Sequence, residues 1–477
     1  MNNTQSSTRD ELRQQWINPG DILSLLLLIG AGIIQKAIAQ LAGRTVKPFG
    51  SKGPEVAITP VAFSFGWVAY SFMNLLSAVG EKQLMPTSDC PSIVVNCENG
   101  HTRSNQSWIL GRLLRDHEAS HEVDPTDPSD DNRPSPGTMG RAESIRIDIF
   151  ELGPSSVPEI DFSWYLGWLV MVAQLVIATM PWVLYGDWGV LIIVLCGNLL
   201  ALLTCGSPQW KSEKWAGRKL KSDKITCLTR GNGHLHIMVF IGSEGSWDLE
   251  TLATSTSASR PKTAQISFIL AIFWTGLLIS VSGLKNHAWY LIGIGGLGMV
   301  QNIHAAGSAR KPGAMDLHLT PFARMPTIIG KRQRVKEVES VDIDLEATDI
   351  ELSHLRKWGN SQSDIPMPIW LESNTREDGM PEWLLPLPND PDGRLKVENV
   401  HGALIELEKW VPTAGLAMLQ TFFPSGLHYR DQSVKYNIHK RFWKRAYRVS
   451  SIRRKAYVKR RKLIKRAIQV ESGKGDA

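Results

Sequence analysis

The chain has 477 residues, 53 Lys and Arg against 46 Asp and Glu, and a formal net charge of +7. With 43% apolar residues and 17 Trp it is neither disordered throughout nor fibrous, and five Cys exclude a disulfide framework. Its mean hydropathy is slightly negative because polar segments dilute six apolar runs.

Residues 1–19 are polar, with Arg9 and Arg13 against Asp10 and Glu11. No cleavable leader pattern follows, so the first apolar run predicts a retained signal anchor. The six runs are Gly20–Leu41, Ile58–Val79, Phe162–Leu184, Trp188–Cys205, Ile266–Leu284 and Trp289–Ala306. A bilayer core takes ~20 apolar residues as a helix, so each run predicts a span. Trp164, Trp168, Trp182, Trp188, Trp210 and Trp289 fall where such helices meet headgroups. The expectation is an all-α fold: a polytopic bundle of about six spans with partly disordered cytosolic loops and a basic C-terminal tail.

The expected organisation is an N-terminal segment 1–19, two helices in 20–79, a polar and partly disordered loop 80–161, and two helices in 162–205. A basic loop 206–265, two helices in 266–306 and a tail 307–477 complete it. Loop 206–265 carries Lys211, Lys214, Arg218, Lys219, Lys221 and Lys224, and the tail opens on Arg310 and Lys311. Positive loops mark the cytosolic side, which puts both termini in the cytosol. Arg44, Lys47 and Lys52 in the short loop 42–57 run against that placement. The sequon at Asn105 and the pair Cys90 and Cys97 would suit a lumenal loop instead, and Asn105 is a glycosylation candidate only there.

Within 206–265, the turn-forming 229–233 and the run Leu235–Ile241 predict a small strand–turn unit. Leu404–Leu419 predicts a packed or membrane-apposed helix. In 435–466, fifteen of 32 residues are Lys or Arg and none is acidic. Ile438, Phe442, Ala446, Val449 and Ile452 recur at helical spacing, which makes this a basic amphipathic helix. After a membrane domain, its natural partner is anionic lipid through Lys440, Arg441, Lys444, Arg445, Arg448, Arg453, Arg454 and Lys455. Nucleic acid is not the expected partner.

Gly293-Ile294-Gly295-Gly296-Leu297-Gly298 matches a dinucleotide fingerprint literally. It lies inside an apolar run with no strand before it, so close helix packing is the expected role. His234 and His236 share one face of a strand, but two histidines alone do not hold a metal. No cofactor or metal is expected. Gln35, Lys36, Gln40, Asn74, Gln174, Asn198, Gln301, Asn302 and His304 are the polar residues within apolar runs, where burial is costly. Interhelical hydrogen bonding is their expected role. The absence of a midplane carboxylate disfavours proton-coupled transport.

Asp21, Glu81 and Asp161 stand at the cytosolic ends of their runs. They are the candidate catalytic acids if three such groups surround one mouth of the bundle; helix capping is the plainer role.

Leu228–His234, Trp247–Ala253, the stretch from Trp289-Tyr290 to Gln301-Asn302, and Glu406–Pro412 followed by Phe422–Gly426 together resemble a family of multi-pass membrane proteins of filamentous ascomycete fungi. That resemblance implies no assigned activity or catalytic residue, though such proteins occur beside secondary-metabolite pathways. The leading expectation is a non-catalytic or accessory membrane component. The alternative is a membrane-embedded enzyme, such as an acid-initiated cyclase of a (mero)terpenoid substrate.

Overall fold

The computed structural model describes residues 30–46, 56–81, 83–121, 143–254, 261–284, 286–323, 326–331 and 394–424, with positions 443, 446, 447, 450 and 451. Helix α1 (Ala31–Leu41) leads to a short hairpin of β1 (Thr45–Val46) and β2 (Val56–Ala57). An extended segment, 58–66, precedes α2 (Trp67–Leu76), which ends in a π-helical turn, Ser77–Glu81. Then come β3 (Ile93–Asn96), β4 (His101–Ser104), α3 (Trp108–Ser120) and β5 (Glu143–Leu152). Two long helices follow, α4 (Phe162–Tyr185) and α5 (Gly189–Cys205), with the short α6 (Pro208–Lys214). Next are β6 (Lys224–Thr229), β7 (His236–Gly242) and α7 (Leu249–Thr254), then the long helices α8 (Pro261–Ser282) and α9 (Ala288–Gly307). The described fold closes with β8 (Leu319–Pro321), β9 (Thr327–Lys331), β10 (Arg394–Glu398), α10 (Asn399–Trp410) and α11 (Ala414–Phe422).

The chain is mixed α/β, which corrects the all-α six-span expectation. Eight strands form one sheet in the order β10-β9-β5-β7-β6-β3-β4, with β8 on β5. Strand β5 alternates: Ile145, Ile147 and Ile149 pack with Ile237 and Val239 against Leu404 and Leu407 of α10. Its opposite face and that of β7 present Leu152, Met238 and Phe240 to Ile109 and Leu113 of α3 and Leu252 of α7. Helices therefore cover the sheet on both faces. The three polar segments before α4, after α5 and after α9 build this one module, at one end of the long helices. Cys97 and Cys227 meet on adjacent strands with sulfurs 3.3 Å apart, while Cys90 lies in the other core.

By length and composition, only α4 and α8 can cross a bilayer alone among the described residues; α5 with α6, bent by 44°, makes a third. The run Ile58–Val79 fails as a span for a physical reason. Its first half is extended, and Gly66 at φ 88° turns it into α2. Its two ends return to one place: Ile58 N–H donates to Arg44 O beside the β1–β2 hairpin, and just past the run Leu84 N–H donates to Glu213 of α6, which also reaches Thr45 through Lys211.

Extended backbone among apolar helices needs partners from its surroundings. The amides within the apolar runs supply them. Gln301 Oε1 accepts from the Ala62 N–H at 3.2 Å and Asn198 Oδ1 from the Phe63 N–H at 3.1 Å. Gln174 Nε2 donates to the Phe63 carbonyl at 2.6 Å, Gln301 Nε2 to that of Pro60 and Asn302 Nδ2 to that of Ala62. Their expected interhelical role is thus extended to satisfying an inserted strand-like segment. Glycines clear the space for it: a β-carbon on Gly167 would lie 2.1 Å from the Pro60 oxygen, and one on Gly298 2.0 Å from that of Phe63. Gly295 lies under the Phe65 ring, whereas Gly293 and Gly296 face open space. The glycine motif is a packing surface for this segment, not a phosphate loop.

A polar seam joins the two modules. The last carbonyls of α1 accept from two buried basic side chains: Lys214 Nζ donates to Gln40 O and Ala42 O at 2.8 Å each, and the Arg310 guanidinium also donates to Gln40 O. Cations at a helix C-terminus complement its dipole.

Candidate functional site

The face of the sheet under α3 carries a cluster of titratable side chains. Strand β5 contributes Arg146 and Asp148, which point to one face because their spacing is two. Parallel β7 sets His236 directly beside Arg146 in register. Helix α3 ends above them, with His117 in its last turn and His121 just beyond. Thr327 of β9 closes the far side.

Asp148 is the centre. Its Oδ2 lies 2.9 Å from His117 Nε2 and accepts from Arg146 Nε at 3.2 Å, and its Oδ1 accepts from the Thr327 hydroxyl at 2.7 Å. The His117 and His236 rings stand 5.8 Å apart and nearly perpendicular, and His121 is 4.3 Å from His117. One ligand atom each from His117, Asp148 and His236 fall within 4.8 Å of one another. The Nδ1 of His236 is buried and has no hydrogen-bond partner among the described residues. Burial and the neighbouring His117 push the His236 imidazole down to about 4, so it is neutral at physiological pH. A neutral imidazole carries one N–H and one lone pair, and in the tautomer protonated at Nε2 the unpartnered Nδ1 offers the lone pair that a metal ligand requires.

Burial raises the Asp148 carboxyl, but the bonds from His117, Arg146 and Thr327 outweigh it and hold it at about 2. A depressed carboxylate stabilises the fold above its unfolded value near 3.8, and that contribution is lost as pH falls through the folded value. The stability difference between the wild type and Asp148→Asn is therefore expected to shrink by about 2 kcal/mol between pH ~4 and ~2. Urea titrations of intrinsic fluorescence across that range measure it. A gap that stays constant with pH would show that Asp148 is not held ionised.

The other candidate residues are placed differently. Asp161 caps α4 through Oδ1 on the Trp164 N–H at 3.1 Å, and its Oδ2 accepts from Arg310 Nε at 2.5 Å. Both oxygens thus accept hydrogen bonds, the arrangement of a helix cap and ion-pair partner. Glu81 closes the π-helical turn, and its side chain lies outside the described residues, as does Asp21. Asn105 is buried, with Nδ2 donating to Ser92 Oγ and the Ser107 carbonyl, a setting closed to glycosylation of the folded chain. Lys440, Arg441, Lys444, Arg445, Arg448, Arg453, Arg454 and Lys455 also lie outside the described residues. Their neighbours Trp443 and Ala446 are buried in the sheet core, with Trp443 Nε1 donating to His401 Nε2 at 2.8 Å.

Of the paired histidines, His234 is exposed beyond the strand and only His236 joins the cluster. Its partners come from segments remote in sequence. The one local sign was the alternation Ile145-Arg146-Ile147-Asp148-Ile149, which marks a strand with a charged inner face.

Comparisons of the chain with protein-family models, with curated proteins and with solved structures find no match.

Proposed function

We propose that this is an integral membrane protein whose helical layer holds a metal-binding α/β module at the membrane surface. The uncovered apolar faces of the long helices carry the membrane part. Leu169 and Val176 of α4, Leu199 of α5, Phe273 of α8 and Val300 of α9 are each more than half exposed. A soluble monomer rarely leaves so extended an apolar surface in water. The resemblance to fungal multi-pass membrane proteins supports the same reading. The density of Lys and Arg in 206–265 supports a cytosolic position for the module.

The metal part rests on His117, Asp148 and His236 each bringing one ligand atom within 4.8 Å of the others, and on the unpartnered Nδ1 of His236. Two imidazoles and a carboxylate suit a divalent zinc-, cobalt- or iron-type ion. Thr327 and Arg146 orient the carboxylate from outside that set, as supporting partners do in metal sites. Arg146 shares Oδ2 with His117, so binding requires His117 to exchange its Asp148 contact for the ion. The module is then an accessory component that presents a bound ion at the bilayer surface.

The full chain in detergent, stripped by a chelator, is expected to take up about one Co²⁺ with the visible absorption of nitrogen and oxygen ligands. His117→Ala, Asp148→Asn and His236→Ala should each weaken uptake by roughly a hundredfold, while His234→Ala leaves it unchanged. Equal uptake by wild type and His236→Ala would sink the metal part. Release of the chain from membranes by alkaline carbonate would sink the membrane part independently.

A further inference from the structure

Just ahead of α4, residues 153–159 lie against the turn 312–318 that follows α9. Three backbone donors fix the crossing. Gly153 N–H donates to His318 O at 2.9 Å, Ser156 N–H to Asp316 Oδ1 at 2.8 Å and Glu159 N–H to Gly313 O at 3.0 Å. The crossing continues the antiparallel pairing of β5 with β8. It brings three side chains together from segments remote in sequence. The Ser156 hydroxyl lies 2.7 Å from His318 Nε2, and His318 Nδ1 lies 3.7 Å from Glu159 Oε1. A hydroxyl, an imidazole and a carboxylate in that order are the parts of an activated serine nucleophile.

Each part has a fixed place. A β-carbon on Gly313 would lie 2.5 Å from the Glu159 carboxyl carbon, so the glycine leaves the room that this carboxylate fills. A carboxylate beside Nδ1 favours the tautomer protonated there, which turns the Nε2 lone pair toward the serine O–H. Asp316 Oδ1, 3.5 Å from Nε2, adds a second negative charge near the ring for the moment it becomes an imidazolium. The alternative acceptor for the Ser156 hydroxyl, Val157 O, is farther off at 3.5 Å. The bond to His318 is therefore the contact that takes the hydroxyl proton. Ser156 and Glu159 are exposed and His318 is half-buried, so the group is open to a ligand.

Ser156 also lines a cavity of about 530 Å³, together with Val157 and the indoles of Trp215 and Trp247. That size suits a small-molecule site. Its other walls, the β1–β2 hairpin and α6, stand where the apolar helices end, a level that amphipathic indoles favour. The Val157 N–H, next in the chain after Ser156, makes no hydrogen bond among the described residues. The amide that follows a nucleophile is a common donor to a developing oxyanion.

We propose that Ser156, His318 and Glu159 form a hydrolytic site for carboxylic esters with an apolar acyl chain. Ser156 Oγ attacks the ester carbonyl carbon while its proton passes to His318 Nε2. The bond from that carbon to the alcohol oxygen breaks, and His318 gives the proton to the departing oxygen. An acyl ester is left on Ser156. Water attacks the acyl carbon as His318 Nε2 takes its proton, the Ser156 oxygen departs and recovers that proton, and the carboxylic acid is released. Glu159 touches no reacting atom and is a positioning residue. The ester chemistry rests on neither the metal nor the membrane reading above; the choice of an apolar acyl chain draws on the membrane reading and on the two indoles.

The test uses the full chain in detergent, with a fluorophosphonate probe and with p-nitrophenyl octanoate and acetate as substrates. Peptide mass spectrometry is expected to find the probe on Ser156. Ser156→Ala should remove labelling and hydrolysis, and His318→Gln should slow both by roughly a hundredfold or more, the scale of a general base. Glu159→Gln should lower kcat about tenfold with KM unchanged, a split that a purely structural role would not give. Ser155→Ala should change neither, since that hydroxyl donates to the Gly245 carbonyl at 3.4 Å. The three side chains are at least partly exposed, so their variants should melt cooperatively near the wild-type temperature. Octanoate should be favoured over acetate about fivefold or more in kcat/KM, through burial of its longer chain. An unlabelled Ser156 in the folded wild type overturns the proposal. So does hydrolysis that persists in Ser156→Ala, or that is lost on chelation and so belongs to a metal. Faster turnover of acetate overturns the apolar acyl chain, and carbonate extraction reads the membrane assignment separately.

Discussion

Gly298→Ala is expected to destabilise the helical layer by about 3 kcal/mol or more, although the same exchange is usually favourable in a helix. The added methyl would sit 2.0 Å from the Phe63 carbonyl oxygen and 2.7 Å from Gln174 Nε2. It would strike the bond by which Gln174 holds the inserted segment. Gln174 is fully buried and also donates to the Ile294 carbonyl at 2.9 Å, so pushing it aside leaves more than one buried group unpaired. Each such group costs roughly 1–3 kcal/mol, on top of the steric strain.

Gly296→Ala is the internal control, since nothing lies within 4 Å of its added carbon. It should be neutral or stabilising by up to about 1 kcal/mol. Thermal unfolding in detergent compares the two. Equal melting temperatures would show that residues 58–66 do not press against α9. Gln174→Leu should behave like Gly298→Ala, because it removes the donor and keeps the volume.

This segment marks where the sequence could be read and where it could not. The runs at Phe162–Leu184 and Ile266–Leu284 gave helices because nothing in them contradicts a continuous apolar cylinder. The run Ile58–Val79 looks equally apolar, yet its backbone is not self-satisfied over 58–66. The sign was present as Pro60 and Gly66 within the run and as amides in three other runs. A count of apolar residues carries no information about where donors and acceptors pair, and pairing across such sequence separations is settled only by folding.

The sheet failed for another reason. Apart from β7, which the run Leu235–Ile241 predicts, its strands come from segments that read as polar loops. The alternation at Ile145–Ile149 was legible, but the partner strands that make it central rather than an edge were not. The cluster at Asp148 inherits that limit. His236 was visible as a strand histidine, whereas His117 arrives on a helix within the other polar loop, 80–161, which also carries Asp148. Only the parallel pairing of β5 with β7, which sets Arg146 beside His236, brings Asp148 within reach of that ring.

The polar seam is expected to be the point at which the two modules come apart. Arg310 has a side chain 3% exposed and holds Asp161, the Gln40 carbonyl and, through its backbone N–H, Asp116 Oδ2. Arg310→Leu leaves the Asp161 charge poorly compensated near the seam, a change expected to cost about 3–5 kcal/mol. Arg310→Leu/Asp161→Asn removes that charge while keeping an N-cap for α4, so it should recover a large part of the loss. Calorimetry in detergent is expected to show Arg310→Leu melting in two steps where the wild type melts in one, since the seam carries the coupling between the layers. The same variants separate two roles for Asp161. If it were a proton donor, Asp161→Asn alone would remove an activity and leave the melting temperature unchanged. As a cap and ion-pair partner, Asp161→Asn should lower the melting temperature, and Arg310→Leu should lower it further. A double variant no more stable than Arg310→Leu would rule out the pair as the source of the coupling.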